Sequence, residues 1–379
     1  MSELLSDAER HELFPVTRAG AYLNNAWRGP ISSRAAAAAK GYIDGLSASG
    51  VNNWDEWEET WYGAKEEFAE FVGAAESEIQ FLANASDAFT RIALGIDWKP
   101  GDHCVAPRDD YPGVTRALLD LKRRGVELTL VPPHEDGSMP AEDLIAAITD
   151  KTKLVAASWV DFRSGYRMDV HALARECGKR NVLCAIDAVQ AIGATPVDID
   201  KVGCQFATFA SRKFLNGLDS IGVLYVREFA LDRLTPHTLG TYSVESPFDF
   251  NWLEQPLAPG AARFQVGATS MPQVYALREA MKLQNEVGRE KLGARVTELA
   301  VELRERAVQA GYEPLAESWP EERRSQIVSI RRTGKLAGED LLARLKGRGI
   351  AVSVRGSILR VSPHWYNTSA DLQSLFEAI

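Results

Sequence analysis

The chain has 379 residues, 45% of them apolar and 25% charged, and carries a formal net charge of −9 at pH 7. This length suits two or three domains, and the composition excludes a disordered tail, a collagen and a small disulfide scaffold. The acidic balance argues against general nucleic-acid binding, which needs a basic patch.

In chain order, SSRAAAAAKGYIDGL and WDEWEETWYGAKEEFAEFVG read as helices from the spacing of their apolar residues. Trp54, Trp57 and Trp61 are expected to pack in a core or a subunit contact. From about residue 78 the runs IQFLA, HCVAP, ELTLVP, LVAASWV, VLCAID and FATFA are rich in β-formers. The helical stretches SDAFTRIALGI, YPGVTRALLDLKRRG, PAEDLIAAITD and DVHALARECGKRN separate most of them. Such alternation predicts an α/β domain with a mostly parallel sheet flanked by helices on both faces. Gly125 and Gly178 stand where two of these helices should stop. Residues 236–272, with several Pro and Gly, read as an irregular bridge. Beyond it lie a long charged helical tract, the short runs IVSIRR, IAVSVRG and ILRVSP, a helix GEDLLARLKGRG and a terminal helix, which together suggest a small C-terminal α+β domain.

None of Cys104, Cys177, Cys184 and Cys204 forms a C-x-x-C pair, so neither a disulfide framework nor a zinc site is expected. His103 and His134 belong to no Cys/His cluster, and no metal is expected. The N-terminus is polar and acidic, unlike a signal peptide. No apolar run approaches the ~20 residues of a membrane span. These features point to the cytoplasm and away from a membrane.

In open α/β sheets, ligands sit outside the carboxyl ends of the strands. The strand VLCAID ends at Asp187, which reads either as a helix N-cap or as a carboxylate compensated by a cation. The next strand is followed by Ser211, Arg212 and Lys213. A lysine buried in such an apolar setting loses proton affinity and can form imines with carbonyls. Asn84, Ala85, Ser86 and Asp87 follow IQFLA at a helix start, where they can cap the helix or cradle a phosphate. Tyr111, after HCVAP, lies near the same edge or packs inside a turn.

Together these residues resemble the class V aminotransferase superfamily, within fold type I of the pyridoxal-phosphate enzymes. The resemblance runs from YLNNAWRGP to LRVSPHWYNT and is most specific in IDAVQAIGATPVDI, SRKFLNG and ILRVSPHWYNT. It implies an N-terminal segment over 1–30 that reaches the substrate site, a large cofactor-binding domain over 31–275 and a small domain over 276–379. It also implies that Lys213 holds pyridoxal 5'-phosphate as an imine, that Asp187 faces the pyridine nitrogen, and that Gln190 approaches the phenolic oxygen or the imine. Ala85 and Ser86 would bind phosphate, Tyr111 would stack on the ring, and Asp161 would lie near it. Many relatives carry a His immediately before the lysine. Here Arg212, with Ser211, would take its place as a phosphate contact. Arg360 would grip the α-carboxylate of an amino-acid substrate, with Asn24 or Asn25 beside it and Arg28 as a further substrate contact. In RFQVGATSMP, Thr269 or Ser270 would reach the phosphate of a neighbouring subunit, which implies a homodimer.

Within the superfamily, the classical cysteine desulfurases use a Cys on a C-terminal loop, and no Cys follows Cys204. SWVDFRSG and KFLNG look like kynureninase segments, and SRK resembles C–S lyases of the hercynylcysteine-sulfoxide type. The leading expectation is a lyase cleaving at Cβ, with β-elimination ahead of hydrolytic Cβ–Cγ cleavage. A transaminase or epimerase is the alternative within the fold, and a catalytically silent scaffold is the alternative outside enzymology.

Overall fold

The structure, a computed structural model, describes residues 3–379; Met1 and Ser2, at the head of the expected 1–30 segment, lie outside the described residues. The large sheet has seven strands among the described residues: β1 (Ile79–Leu82), β2 (His103–Pro107), β3 (Glu127–Val131), β4 (Thr152–Ser158), β5 (Leu183–Asp187), β6 (Phe206–Ala210) and β7 (Gly222–Val226). Their spatial order is β1-β7-β6-β5-β4-β2-β3. Six of the strands run in one direction, and β7 alone is antiparallel to both its neighbours. The six β-rich runs of the sequence all form strands of this sheet. β5 and β6 are buried along their whole length. This explains why they read as unbroken apolar runs and not as alternating ones.

Helices cover both faces, and two core clusters result, one on each side of the sheet. The expected helices form, with two differences at glycine. The helix Val170–Lys179 runs through Gly178 and does not stop there. The chain reverses two residues later, at Asn181, whose φ of 53° is left-handed. Asparagine tolerates that conformation, so the turn needs no glycine. The long charged tract is two helices, Met271–Val287 and Arg289–Gln309, broken at Gly288 with φ of 92°. The Ser33–Ser49 helix packs on Met271–Val287. Ala35, Ala39, Ala276 and Ala280 form the seam, so the alanine run allows close approach of the two backbones. Of the three tryptophans, Trp57 is buried, Trp61 packs edge-on against Phe81, and Trp54 is exposed.

A second sheet of three antiparallel strands, β8 (Val328–Arg331), β9 (Ser353–Arg355) and β10 (Ile358–Val361), has β10 in its centre. The N-terminal segment joins it through bridges from Tyr22 to Ala351 and from Asn24 to Ser362. Ala21 and Leu23 enter its core. Residues from the two ends of the chain thus meet beside the carboxyl edge of the large sheet.

Candidate active site

Asp187 ends β5, and Lys213 lies on the turn just past β6. Both are buried, and both line one cavity of about 420 Å³ at the carboxyl edge. Parallel pairing of β5 with β6 sets Asp187 beside Thr208. The neighbouring strand tips therefore bring the acid and the amine to one place.

Burial strips water from both groups. It pushes the Lys213 amine well below the ordinary lysine value, opposed by the charge of Asp187 and reinforced by the guanidiniums of Arg360, Arg212 and Arg355. It pushes Asp187 upward, opposed by the Val189 N–H and by Lys213. A depressed lysine presents a lone pair near neutral pH, which is what attack on an aldehyde requires. One Asp187 oxygen accepts from Val189 N at 2.9 Å. The other has no protein donor among the described residues and is free for an N–H from a ligand.

Tyr111 lines the same cavity, with Lys213 Nζ 5.2 Å from its ring centroid. Its position is fixed by Asp110, a residue the sequence reading passed over within a turn. Asp110 accepts from Tyr111 N at 2.6 Å and from the Ser158 hydroxyl at 2.5 Å and backbone N at 2.9 Å. Burial pushes its carboxyl up to about 7, although the Ser158 hydrogen bond opposes the shift.

Ala85 and Ser86 open the helix Ala85–Gly95 and line the cavity. Asn84 caps that helix through Asp87 N at 2.9 Å. The first amides are thereby left turned to the cavity, where they and the helix dipole favour an anion. A Cβ on Gly113 would lie 2.4 Å from Ser86 Oγ, and one on Gly222 would lie 2.0 Å from the Asn84 carbonyl carbon. Side chains at either position would press on the cradle. Gly222→Ala is therefore expected to cost about 1–3 kcal/mol by overpacking. A thermal melt should show a Tm lower by a few degrees and, after gel filtration, less retained cofactor; an unchanged Tm and full retention would remove the cradle argument.

Arg212 and Arg28 also line the cavity and share Asp219 as ion-pair partner. Ser211 does not join them. Its hydroxyl donates to the backbone carbonyls of Leu218 and Ile221, holding the loop after Lys213 instead of a ligand. Asp161 caps its own turn, accepting from Arg163 N at 3.0 Å and from Ser164 N and Oγ. Thr269 and Ser270 lie outside the Lys213 cavity and border a separate depression with Asp87, Arg91 and Ser220.

Arg360 is buried on β10. Its Nε donates to Ser353 Oγ at 3.1 Å and its Nη1 to the Phe162 carbonyl at 2.5 Å. Its Nη2 is buried without a partner. Gln190 donates to the Ala26 carbonyl at 3.0 Å, and its buried Oε1 has no partner. Asn24 likewise donates to the Val352 carbonyl and leaves Oδ1 unpartnered. Asn25 is fully engaged in structure, accepting from the Tyr366 hydroxyl at 2.8 Å and donating to the Ser362 carbonyl at 3.0 Å. Native proteins leave few such buried groups unsatisfied. None of Arg360, Gln190, Asn24 and Asn25 lines the Lys213 cavity, and the unpartnered atoms of the first three are the polar groups that a ligand would satisfy.

The loop after the lysine is clamped from far away in sequence. Gly29 N donates to the Arg212 carbonyl at 2.8 Å, and both His364 Nε2 and Gln284 Nε2 donate to the Phe214 carbonyl. Burial pushes His364 down to about 4, so its ring stays neutral and keeps this role.

Pyridoxal phosphate fits these residues. A depressed amine, an acid with a free oxygen, an aromatic ring and an anion cradle surround one cavity. The profile of the family described as Aminotransferase class-V matches residues 38–375. An uncharacterized aminotransferase, YcbU, of Bacillus subtilis (strain 168) is 27% identical over 97% of this chain and 96% of its own length. Among solved structures, the apo cysteine desulfurase of Thermococcus onnurineus NA1 superposes with a TM-score of 0.90 at 20% identity, covering 100% of this chain and 98% of that one. The cystine C–S lyase C-DES, in complex with its product cysteine persulfide, gives a TM-score of 0.89 at 20% identity over 96% and 98%. At such identities the two structures speak for the fold.

Proposed function

Because the chain belongs to the class-V aminotransferase family, and so is a pyridoxal-phosphate-dependent enzyme, we propose that it is an amino-acid lyase acting at Cβ by β-elimination. The observation that carries this reading over sulfur transfer is the placement of the thiols. All four cysteines are buried, and none lines the Lys213 cavity, so the protein offers no acceptor for a persulfide. A C–S lyase with no acceptor thiol is the relative this arrangement suits.

When bound, the cofactor supplies an aldehyde for the substrate amine and a ring that takes up an electron pair. Arg360 holds the α-carboxylate through the free Nη2 in a charge-assisted contact. Asp187 holds a proton at the pyridine nitrogen. Lys213 would hold the cofactor's aldehyde and would also move the proton at Cα of the substrate, a task its low proton affinity suits near neutral pH. Tyr111, which lines the cavity beside Lys213, would cover the ring and keep water from it. Ala85, Ser86 and Arg212 hold the phosphate. The leaving group departs from Cβ with its electron pair.

We place the enzyme in the cytoplasm, where free buried thiols are usual. We also propose that it works as a homodimer. Thr269 and Ser270 lie outside their own chain's Lys213 cavity, and Thr269 also borders an aromatic groove of about 550 Å³ lined by Trp54, Tyr62 and Phe248. Sedimentation at a protomer mass of 41.7 kDa tests this. Incubation with candidate amino acids tests the reaction. Pyruvate or alanine signifies Cβ cleavage; a keto acid formed only with conversion of the cofactor to its pyridoxamine form signifies a transaminase and overturns the lyase reading.

A further inference from the structure

Arg355 lies at the end of β9 and was not among the site residues expected from sequence. In the register of the small sheet, Ser353 stands opposite Arg360 and Arg355 opposite Ile358. Paired residues in antiparallel strands share a face, as do residues two apart. Arg355 and Arg360 therefore project from the same face, and the Arg360–Ser353 hydrogen bond agrees with this.

Arg355 lines a second cavity of about 380 Å³ together with Phe162, the guanidiniums of Arg163 and Arg331, and the acids Asp109, Asp110, Glu135 and Asp161. This cavity adjoins the site already described. Phe162 packs edge-on against Tyr111, centroids 5.5 Å apart, and its carbonyl accepts from Arg360. Three guanidiniums border the space, and two are engaged with acids. Arg163 lies 3.7 Å from Asp109, and Arg331 reaches Glu313 at 4.0 Å. Arg355 donates only to its neighbour's carbonyl, Val354 O, at 3.0 Å, and has no ion-pair partner among the described residues. Three of the four acids that line the cavity are engaged elsewhere, Asp109 by Arg108 and Arg163, Asp110 by Ser158 and Tyr111 N, and Asp161 by its own turn, and the fourth, Glu135, makes no ion pair with Arg355. The charge of Arg355 lowers the proton affinity of both Lys213 and Arg360. Among the guanidiniums bordering this cavity, Arg355 is the one that no carboxylate pairs with, and its charge is available to an anion that enters the space.

We propose that Arg355 determines specificity. It binds a second acidic group on the substrate side chain, so that the preferred substrate is an amino acid carrying a carboxylate, sulfinate or similar anion beyond Cβ. This rests on the reading of Arg360 as the α-carboxylate site. Arg360 anchors one end of the substrate and Arg355 the other, while the reacting carbons lie toward Lys213.

The test uses the holoenzyme and two ligands that have no amine and cannot react, succinate and butyrate, titrated by calorimetry. Succinate is expected to bind about tenfold or more tightly than butyrate. Arg355→Met should bring that ratio close to one, Arg355→Gln should do the same if the methionine variant folds poorly, and Arg355→Lys should keep part of the preference. A wild-type ratio near one, an unchanged ratio in both neutral variants, or no binding of either ligand overturns the proposal. The preference is read without turnover. A preference in a protein that yields no Cβ product sinks the lyase reading alone, and product formation without a preference sinks this one alone.

Discussion

Lys213→Ala is expected to lower turnover by on the order of 10³-fold or more and to remove the visible absorbance of the cofactor–lysine imine. The physical basis is twofold. No other lysine lines the cavity, so the variant has neither an amine to hold the aldehyde nor a base at Cα. The surrounding loop should survive the change. Its backbone is held by Gly29, His364 and Gln284, whose hydrogen bonds go to the carbonyls of Arg212 and Phe214 and not to the Lys213 amine. A far-ultraviolet spectrum like that of the wild type, with the visible band gone, is therefore the predicted pair of observations. A persistent band in folded Lys213→Ala protein would refute the assignment of the lysine.

Asp187→Asn is expected to reduce turnover by on the order of 10²–10³-fold, the usual effect of deleting one preorganised electrostatic partner. It keeps the shape of the strand tip and removes the negative charge that holds a proton at the ring nitrogen. It has a second consequence in the cofactor-free protein. Asp187 raises the proton affinity of Lys213 against the dominant effect of burial. Without that charge the lysine should titrate still lower. Aldehyde capture needs the neutral amine, so it falls as pH drops through the lysine's value. In the wild type this inflection lies well below 10.5, the ordinary lysine value, and in Asp187→Asn it should move lower again. Stopped-flow capture of pyridoxal phosphate across pH reads both positions. An inflection that stays put, or that rises, would separate the two side chains electrostatically and end the argument that their charges act on each other.

A neutral amide at 187 also distinguishes charge from packing. If the carboxylate served only as a cap, accepting from Val189 N, asparagine would do the same work and turnover would hold. Capping was one of the two roles the sequence left open for this residue, and the variant decides between them.

Local pattern determined a great deal here. Five of the six β-rich runs declared their strands because buried parallel strands carry continuous apolar sequence, whereas the edge strand β3 is partly exposed and alternates polar with apolar residues. Lys213 and Asp187 were legible because each follows such a run at the edge where open α/β sheets bind ligands. The alanine run announced a close helix seam. What local pattern could not supply was anything set by partners distant in sequence. The reversed direction of β7 comes from its pairing with β1 and β6, and its own residues look like those of its neighbours. Ser211 next to the lysine looked available for phosphate, yet the chain folds back so that Leu218 and Ile221 take its hydroxyl. Asp161, expected from the resemblance to lie near the cofactor ring, has its carboxylate taken up by its own turn.

Asp110 and Arg355 show the same limit from the other side. In sequence one is a turn aspartate and the other a strand-end arginine among 43 basic residues. Only the three-dimensional arrangement buries the first against Ser158 and leaves the second without a counter-ion beside Arg360. Sequence periodicity encodes which face of an element is buried, because that depends on near neighbours. Whether a polar side chain is satisfied depends on what the rest of the chain brings within about 3 Å of it, and this the tertiary structure alone decided.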